Sequence, residues 1–156
     1  MHTTSVPSAN DNLRSVETFI GRSPDQCWRA LTDASLLAAW VPGLRRARVV
    51  EVETSGLARE VLFEFSTSLS YSLVYTYDAA ALELRWEPRI GKRDAVRGFA
   101  RFEACDSGTK MIYALEQGAG RNASDLALAD PETTLVAFAR WVESRPAMQK
   151  PLTASR

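Results

Sequence analysis

Ser23-Pro24-Asp25-Gln26-Cys27-Trp28-Arg29-Ala30-Leu31-Thr32-Asp33, followed by Leu37-Ala38-Ala39-Trp40-Val41-Pro42-Gly43, is the stretch on which the fold turns. Ser23 carries a hydroxyl suited to capping a helix, Pro24 stands at the first helical position, where its missing N–H is no loss, and Gln26 completes a capping box. Trp28 and Leu31 mark the buried side of this short helix. Asp33 is the expected cap of a second, with Leu36, Leu37 and Trp40 at helical spacing and Pro42-Gly43 as the breaker. Two short helices in succession are predicted. Just upstream, Leu13 to Arg22 alternates, with Val16, Thr18 and Ile20 on one face, and reads as a first strand.

After Gly43 the period becomes two and stays so for about seventy residues. Turn signals at Ser55-Gly56, near Ser66–Ser68, at Asp78–Ala81, at Pro88–Asp94 and at Asp106-Ser107-Gly108 divide this region into six strands. Short connections imply antiparallel neighbours, because parallel strands need long crossovers. Val61, Phe63 and Phe65 share a face of one strand, Tyr71, Leu73 and Tyr75 of the next, Leu84 and Trp86 of the next. Met111, Tyr113 and Leu115 do the same on the last. Asp130-Pro131-Glu132 then opens the longest helix, about 15 residues or roughly 22 Å. Its apolar stripe is Leu135, Phe138, Ala139, Trp141 and Val142. A sheet with one apolar face needs a cover, and this helix is the element of matching length.

Composition narrows the chemistry. The chain has 156 residues, enough for one domain able to bury a core or enclose a ligand; residues 13–145 form the expected domain, with 1–12 and 146–156 as polar tails. Its 19 basic and 19 acidic side chains balance, so there is no electrostatic footprint for nucleic acid. The one histidine is His2, in the polar leading segment, which argues against mechanisms built on a positioned imidazole and against histidine-ligated zinc. Cys27 and Cys105 form no CxxC motif and read as reduced thiols. No metal site and no cofactor is expected. With neither a signal segment nor an apolar run near 18 residues, no membrane span is expected and a cytoplasmic location is.

The order of elements, together with the Ser23–Asp33 and Leu37–Gly43 segments, Gly98-Phe99-Ala100-Arg101-Phe102 and Gly108-Thr109-Lys110-Met111-Ile112-Tyr113, resembles the SRPBCC superfamily, the helix-grip proteins that include START domains, birch-pollen-allergen-like proteins and polyketide cyclases. The resemblance spans about residues 13–145. It implies an α+β helix-grip fold: a seven-stranded antiparallel sheet curved around a C-terminal helix, two short helices between strands 1 and 2, and a hydrophobic cavity between sheet and helix. The closing helix is shorter than the family usually has, and residues 119–129 replace what is often its beginning.

Several residues are candidates to line such a cavity. Tyr71, Tyr75, Tyr77 and Tyr113 fall on inward faces, as contact points for a ligand or as core phenols satisfied by backbone or water. Phe63, Phe65, Trp86, Phe138 and Trp141 supply flat walls for a planar ligand or plain core, and Leu73, Phe102 and Met111 share their faces. Trp40 stands near the expected mouth. On the sixth strand Val96, Gly98, Ala100 and Phe102 form the apolar face, and Gly98 either leaves room for a ligand or lets the sheet bend. Arg59 shares the parity of Val61, so it points toward the pocket or lies beyond the sheet edge in solvent, and Arg48 has the same ambiguity. Glu60 and Glu64 should face outward, and Arg45, Arg46, Arg89, Lys92 and Arg93 read as solvated surface. With no catalytic constellation, the reading is a binder of a small hydrophobic, aromatic or lipid-like ligand. The alternatives are a cyclase or aromatase-like enzyme acting by positioning and hydroxyl or guanidinium donors, and an interaction or chaperone-regulating module. A ligand cavity of the usual kind would measure about 300–1,000 Å³.

Overall fold

The computed structural model describes residues 13–66, 69–89, 97–116 and 130–147. The leading tail, most of the trailing one, the turns expected at Ser66–Ser68 and Pro88–Asp94 for the larger part, Val96, and residues 119–129 lie outside these.

Helix α1 runs Pro24–Thr32, with the Ser23 hydroxyl accepting from the Gln26 amide at 3.1 Å. The Gln26 side-chain amide donates to the Pro146 carbonyl at 3.0 Å, tying the helix start to the far end of the chain. Asp33 caps a one-turn 3-10 helix, Ala34–Leu36, by accepting from Ser35, and α2 follows at once over Leu37–Trp40. Gly43 then takes a left-handed φ of 76°, which a glycine adopts without strain, and turns the chain into the sheet.

The strands are β1 (Leu13–Ile20), β2 (Arg46–Val52), β3 (Ala58–Ser66), β4 (Leu69–Asp78), β5 (Glu83–Pro88), β6 (Gly98–Cys105) and β7 (Gly108–Glu116). They form one seven-stranded sheet in the order β1-β7-β6-β5-β4-β3-β2. From β2 to β7 it is the expected meander. β1 joins the far side, pairing antiparallel with β7 from Leu13↔Glu116 to Ile20↔Thr109. The two short helices therefore carry the chain from one sheet edge to the other, across the concave face. Turn residues act as their chemistry requires: Gly56 at φ 95° joins β2 to β3, the Asp78 carboxylate accepts from Ala81 N–H, and Ser107 at φ 59° joins β6 to β7. β2 is a free edge, and its register shifts around Val49–Val52, an irregularity that blunts edge-to-edge pairing.

The closing helix, α3, covers Pro131–Glu143; its 13 residues make it about two residues shorter than its sequence pattern suggests. Asp130 caps it, accepting from Glu132 N–H at 3.3 Å and the Thr133 hydroxyl at 2.7 Å. The buried stripe is Thr134, Leu135, Phe138, Ala139 and Val142; Trp141 is only half-buried, with the Arg145 guanidinium 5.2 Å over its ring.

On the convex face arginines and glutamates alternate across strands. Arg46 and Arg48 both reach Glu64, at 2.8 and 3.2 Å, so Arg48 points outward. These guanidinium groups hold the Glu64 carboxyl below its usual range, through the Arg46 hydrogen bond first. Exposed pairs of this sort are worth about 0–1 kcal/mol each, so they set solubility and register more than stability. Glu60 departs from the expectation of a solvated carboxylate: it is on the outer face but 5% exposed, because Arg89 lies over it with Nη1 2.7 Å from Oε1. Arg89 is thus an exposed surface residue, as expected, that also covers a buried carboxylate.

Candidate functional site

Between the concave face and the helices lies a half-open pocket of about 80 Å³. Cross-strand register builds its walls. Phe63 stands opposite Tyr71 and Tyr75 opposite Trp86, so two aromatic pairs sit side by side on adjacent ladders. Phe63 stacks on Tyr71 with centroids 6.0 Å apart, and Phe65 closes the same cluster at 5.6 Å from Tyr71. Trp86 leans on Tyr113 at 5.5 Å. Leu73, Leu84 and Leu115 fill between the rings, Leu31, Leu37, Trp40, Val41 and Pro42 form the opposite wall, and Thr134 contributes from α3.

Of the candidates, Trp40, Phe63, Phe65, Tyr71, Leu73, Tyr75, Trp86 and Tyr113 line this pocket. Six others are elsewhere. Phe102 and Met111 are cross-strand partners beneath α3, where Phe138 stacks on Phe102 at 6.0 Å and meets Trp40 edge-on at 4.8 Å; this is solid core. Trp141 is at the exposed end of α3. Arg59 is exposed, beyond the pocket wall. Gly98 leaves no void: a Cβ there would stand 2.2 Å from the Ala114 carbonyl oxygen and 3.0 Å from Trp86 Cζ2. Its bareness admits the indole of Trp86 and a neighbouring backbone. The aliphatic and proline lining was readable only in part: Leu84 and Leu115 share parity with Trp86 and Tyr113, and Thr134 is four residues before Phe138 on the buried stripe.

The pocket is also smaller than the sequence reading anticipates. Stacked rings occupy space that branched or small side chains would leave open. Its volume is roughly half the about 150 Å³ in which an engineered core cavity holds benzene.

Its polar groups are few. Tyr75 and Tyr113 are each 7% exposed, and burial pushes both phenols well above their usual pKa, so they are neutral donors at physiological pH. Tyr113 bonds to the Thr134 hydroxyl, which itself donates to the Asp130 carbonyl at 3.2 Å. Tyr77 is outside the lining; its phenol donates to the Ala58 carbonyl and its ring meets Trp28 and Tyr75 edge-on. The Trp40 indole N–H is buried with no acceptor among the described residues. No arginine, lysine, aspartate, glutamate or histidine lines the pocket among the described residues. Nor do the described residues bring together three metal-ligating side chains, or include a helix long and apolar enough to cross a membrane.

No family model matches the sequence, and no curated protein matches it. Solved structures do. TTHA0849 from Thermus thermophilus superposes with a TM-score of 0.69 at 16% identity, over 85% of this chain and 97% of that one. A START superfamily protein from Mycobacterium smegmatis gives 0.63 at 14% identity, over 85% and 95%. The Zhui aromatase/cyclase from Streptomyces sp. R1128 gives 0.65 at 14% identity, over 85% and 92%. With the sheet order, the two short helices after β1 and the closing helix on the concave face, these likenesses agree on one architecture: the chain has the helix-grip fold.

Proposed function

We propose that the protein binds a small hydrophobic ligand between the concave sheet face and the helices, working in the cytoplasm, where Cys27 and Cys105 stay reduced. The observation that carries this reading is a half-open pocket walled by Phe63, Phe65, Tyr71, Tyr75, Trp86 and Tyr113 and free of ionic side chains among the described residues. Flat apolar walls with a few hydroxyls are the usual make-up of a small-molecule site. The pocket's size favours a compact ligand, or one that leaves part of itself at the mouth beside Val41 and Pro42. The test is native mass spectrometry of the protein purified from cells, followed by NMR shift mapping with one-ring aromatic compounds. A retained small molecule and shifts confined to the lining residues are expected. Shifts scattered over the convex face, with no effect on the aromatic walls, would remove the reading.

A second reading, a cyclase or aromatase-like enzyme, is supported by the neutral phenols of Tyr75 and Tyr113, which can polarise a carbonyl without titrating. Turnover of a poly-β-ketone mimic that is lost in Tyr113→Phe, with binding retained, would favour catalysis over carriage. The interaction-module alternative has the exposed Val49, Val50 and Val52 of the β2 edge in its support, but these lie apart from the aromatic pocket.

A further inference from the structure

The hydroxyls of the tyrosine cluster are not equivalent. That of Tyr77 is taken up by the Ala58 carbonyl, and that of Tyr113 by Thr134 and, through it, the backbone of α3. Tyr75 stands between them, buried to the same degree as Tyr113, in the pocket wall, with its phenol acted on electrostatically by those of Tyr71, Tyr77 and Tyr113. Among the described residues nothing hydrogen-bonds to it, and burial alone dominates the rise of its pKa. The hydroxyl is not sealed off as the Trp40 indole N–H is: it is accessible from the pocket, where a ligand oxygen can reach it. From the opposite wall Trp40 presents a buried donor without an acceptor among the described residues. Both groups can give a proton to an oxygen, and among the described residues the lining holds no carboxylate to receive an amine and no guanidinium or ammonium to receive an anion.

We infer that the pocket selects a neutral, single-ring ligand carrying a hydrogen-bond acceptor oxygen, such as an aryl or cyclic ketone, and that the Tyr75 hydroxyl is the group that holds that oxygen. This rests on the ligand-binding reading above and deepens it. A carboxylate of the same size lacks a counter-charge and must leave its hydration behind, while a plain hydrocarbon leaves the phenol unpartnered. Size follows from the pocket: even one ring must displace a lining side chain or protrude, and a fused polycycle must do so further.

The experiment compares acetophenone, ethylbenzene and benzoate, which share a ring and nearly a shape, with the full chain and its Tyr75→Phe variant. Affinities are measured by calorimetry, and the site is assigned by NMR shifts of the lining residues. Acetophenone should bind roughly tenfold more tightly than ethylbenzene and at least as far ahead of benzoate. Tyr75→Phe should erase the advantage over ethylbenzene; thermal unfolding of the variant confirms that it is folded. If benzoate matches acetophenone, or if the preference survives in Tyr75→Phe, the inference is overturned while the pocket stands. If none of the three compounds shifts the lining residues, both the inference and the ligand-binding reading fall.

Discussion

The Arg22 guanidinium and the backbone of Glu143 lock the two ends of the grip together. Nη2 of Arg22 donates to the Glu143 carbonyl at 2.7 Å and to the Arg145 carbonyl at 2.8 Å, and Nε also reaches Arg145, at 3.2 Å. The Glu143 carboxylate answers by accepting from Gly21 N–H at 2.8 Å. The last carbonyls of a helix have no partner inside the helix, and a cation beside them also meets the negative end of the helix dipole. Arg22 thus caps α3 from the β1–α1 junction, more than a hundred residues away in sequence.

Arg22→Met should accordingly lower stability by about 2 kcal/mol, because charge-assisted bonds to backbone carbonyls are lost while the stem is kept. Urea denaturation measures this. A loss below about 0.5 kcal/mol would mean that water replaces the guanidinium at no cost.

Tyr77 and Tyr75 give opposite expectations from the same substitution. Tyr77→Phe removes a hydroxyl bonded to the Ala58 carbonyl and should cost about 1 kcal/mol. Tyr75→Phe removes a hydroxyl that opens onto the pocket and makes no hydrogen bond among the described residues, and should leave stability unchanged or raise it. Paired thermal melts decide the matter; equal losses in the two variants would show that Tyr75 has a structural bond.

These contrasts mark what the sequence can and cannot convey. Caps at Ser23, Asp33 and Asp130 are local chemistry, and the alternation around Phe63, Tyr71 and Trp86 names the buried face, so the architecture is legible residue by residue. Alternation does not say how far along a strand the helix lies. Phe102 and Met111 share the inward face with Tyr113, yet Phe138 packs them into solid core while Tyr113 opens onto the pocket. Glu60 likewise has the outward parity of a solvated residue, and only the fold brings Arg89 over it. Pocket volume is the least legible quantity, since it depends on how the rings of Phe63, Phe65 and Tyr71 stack.

Gly98 is the backbone position on which the Trp86 wall depends. A methyl group there would meet the Ala114 carbonyl oxygen at 2.2 Å and Leu115 Cδ2 at 2.9 Å, and the former is backbone that cannot yield cheaply. Gly98→Ala should destabilise by about 1–3 kcal/mol, despite the roughly 0.4–1 kcal/mol that a Gly-to-Ala change gains where space allows. Denaturation followed by tryptophan emission would report both the loss and the displacement of Trp86. A neutral or stabilising effect would mean that β6 shifts away from β7 without cost.

Alkaline pH should unfold the protein through its buried acids. Burial raises the Tyr75 and Tyr113 phenols well above 10 and pushes the Cys27 thiol up to about 11, from a usual value of 9.0. In each case the folded state holds a proton that the unfolded chain releases. Below the unfolded values both states are protonated and stability is flat. Above about 9 for the thiol and about 10 for the phenols the unfolded chain binds fewer protons, so stability falls by about 1.4 kcal/mol per pH unit for each group. Urea midpoints should therefore be steady from pH 7 to 9 as far as these groups are concerned, and drop steeply beyond pH 10, with the phenolate absorbance of Tyr75 and Tyr113 appearing together with loss of structure. Phenolate absorbance from all four tyrosines near pH 10 in a chain that remains folded would show that Tyr75 and Tyr113 are open to water.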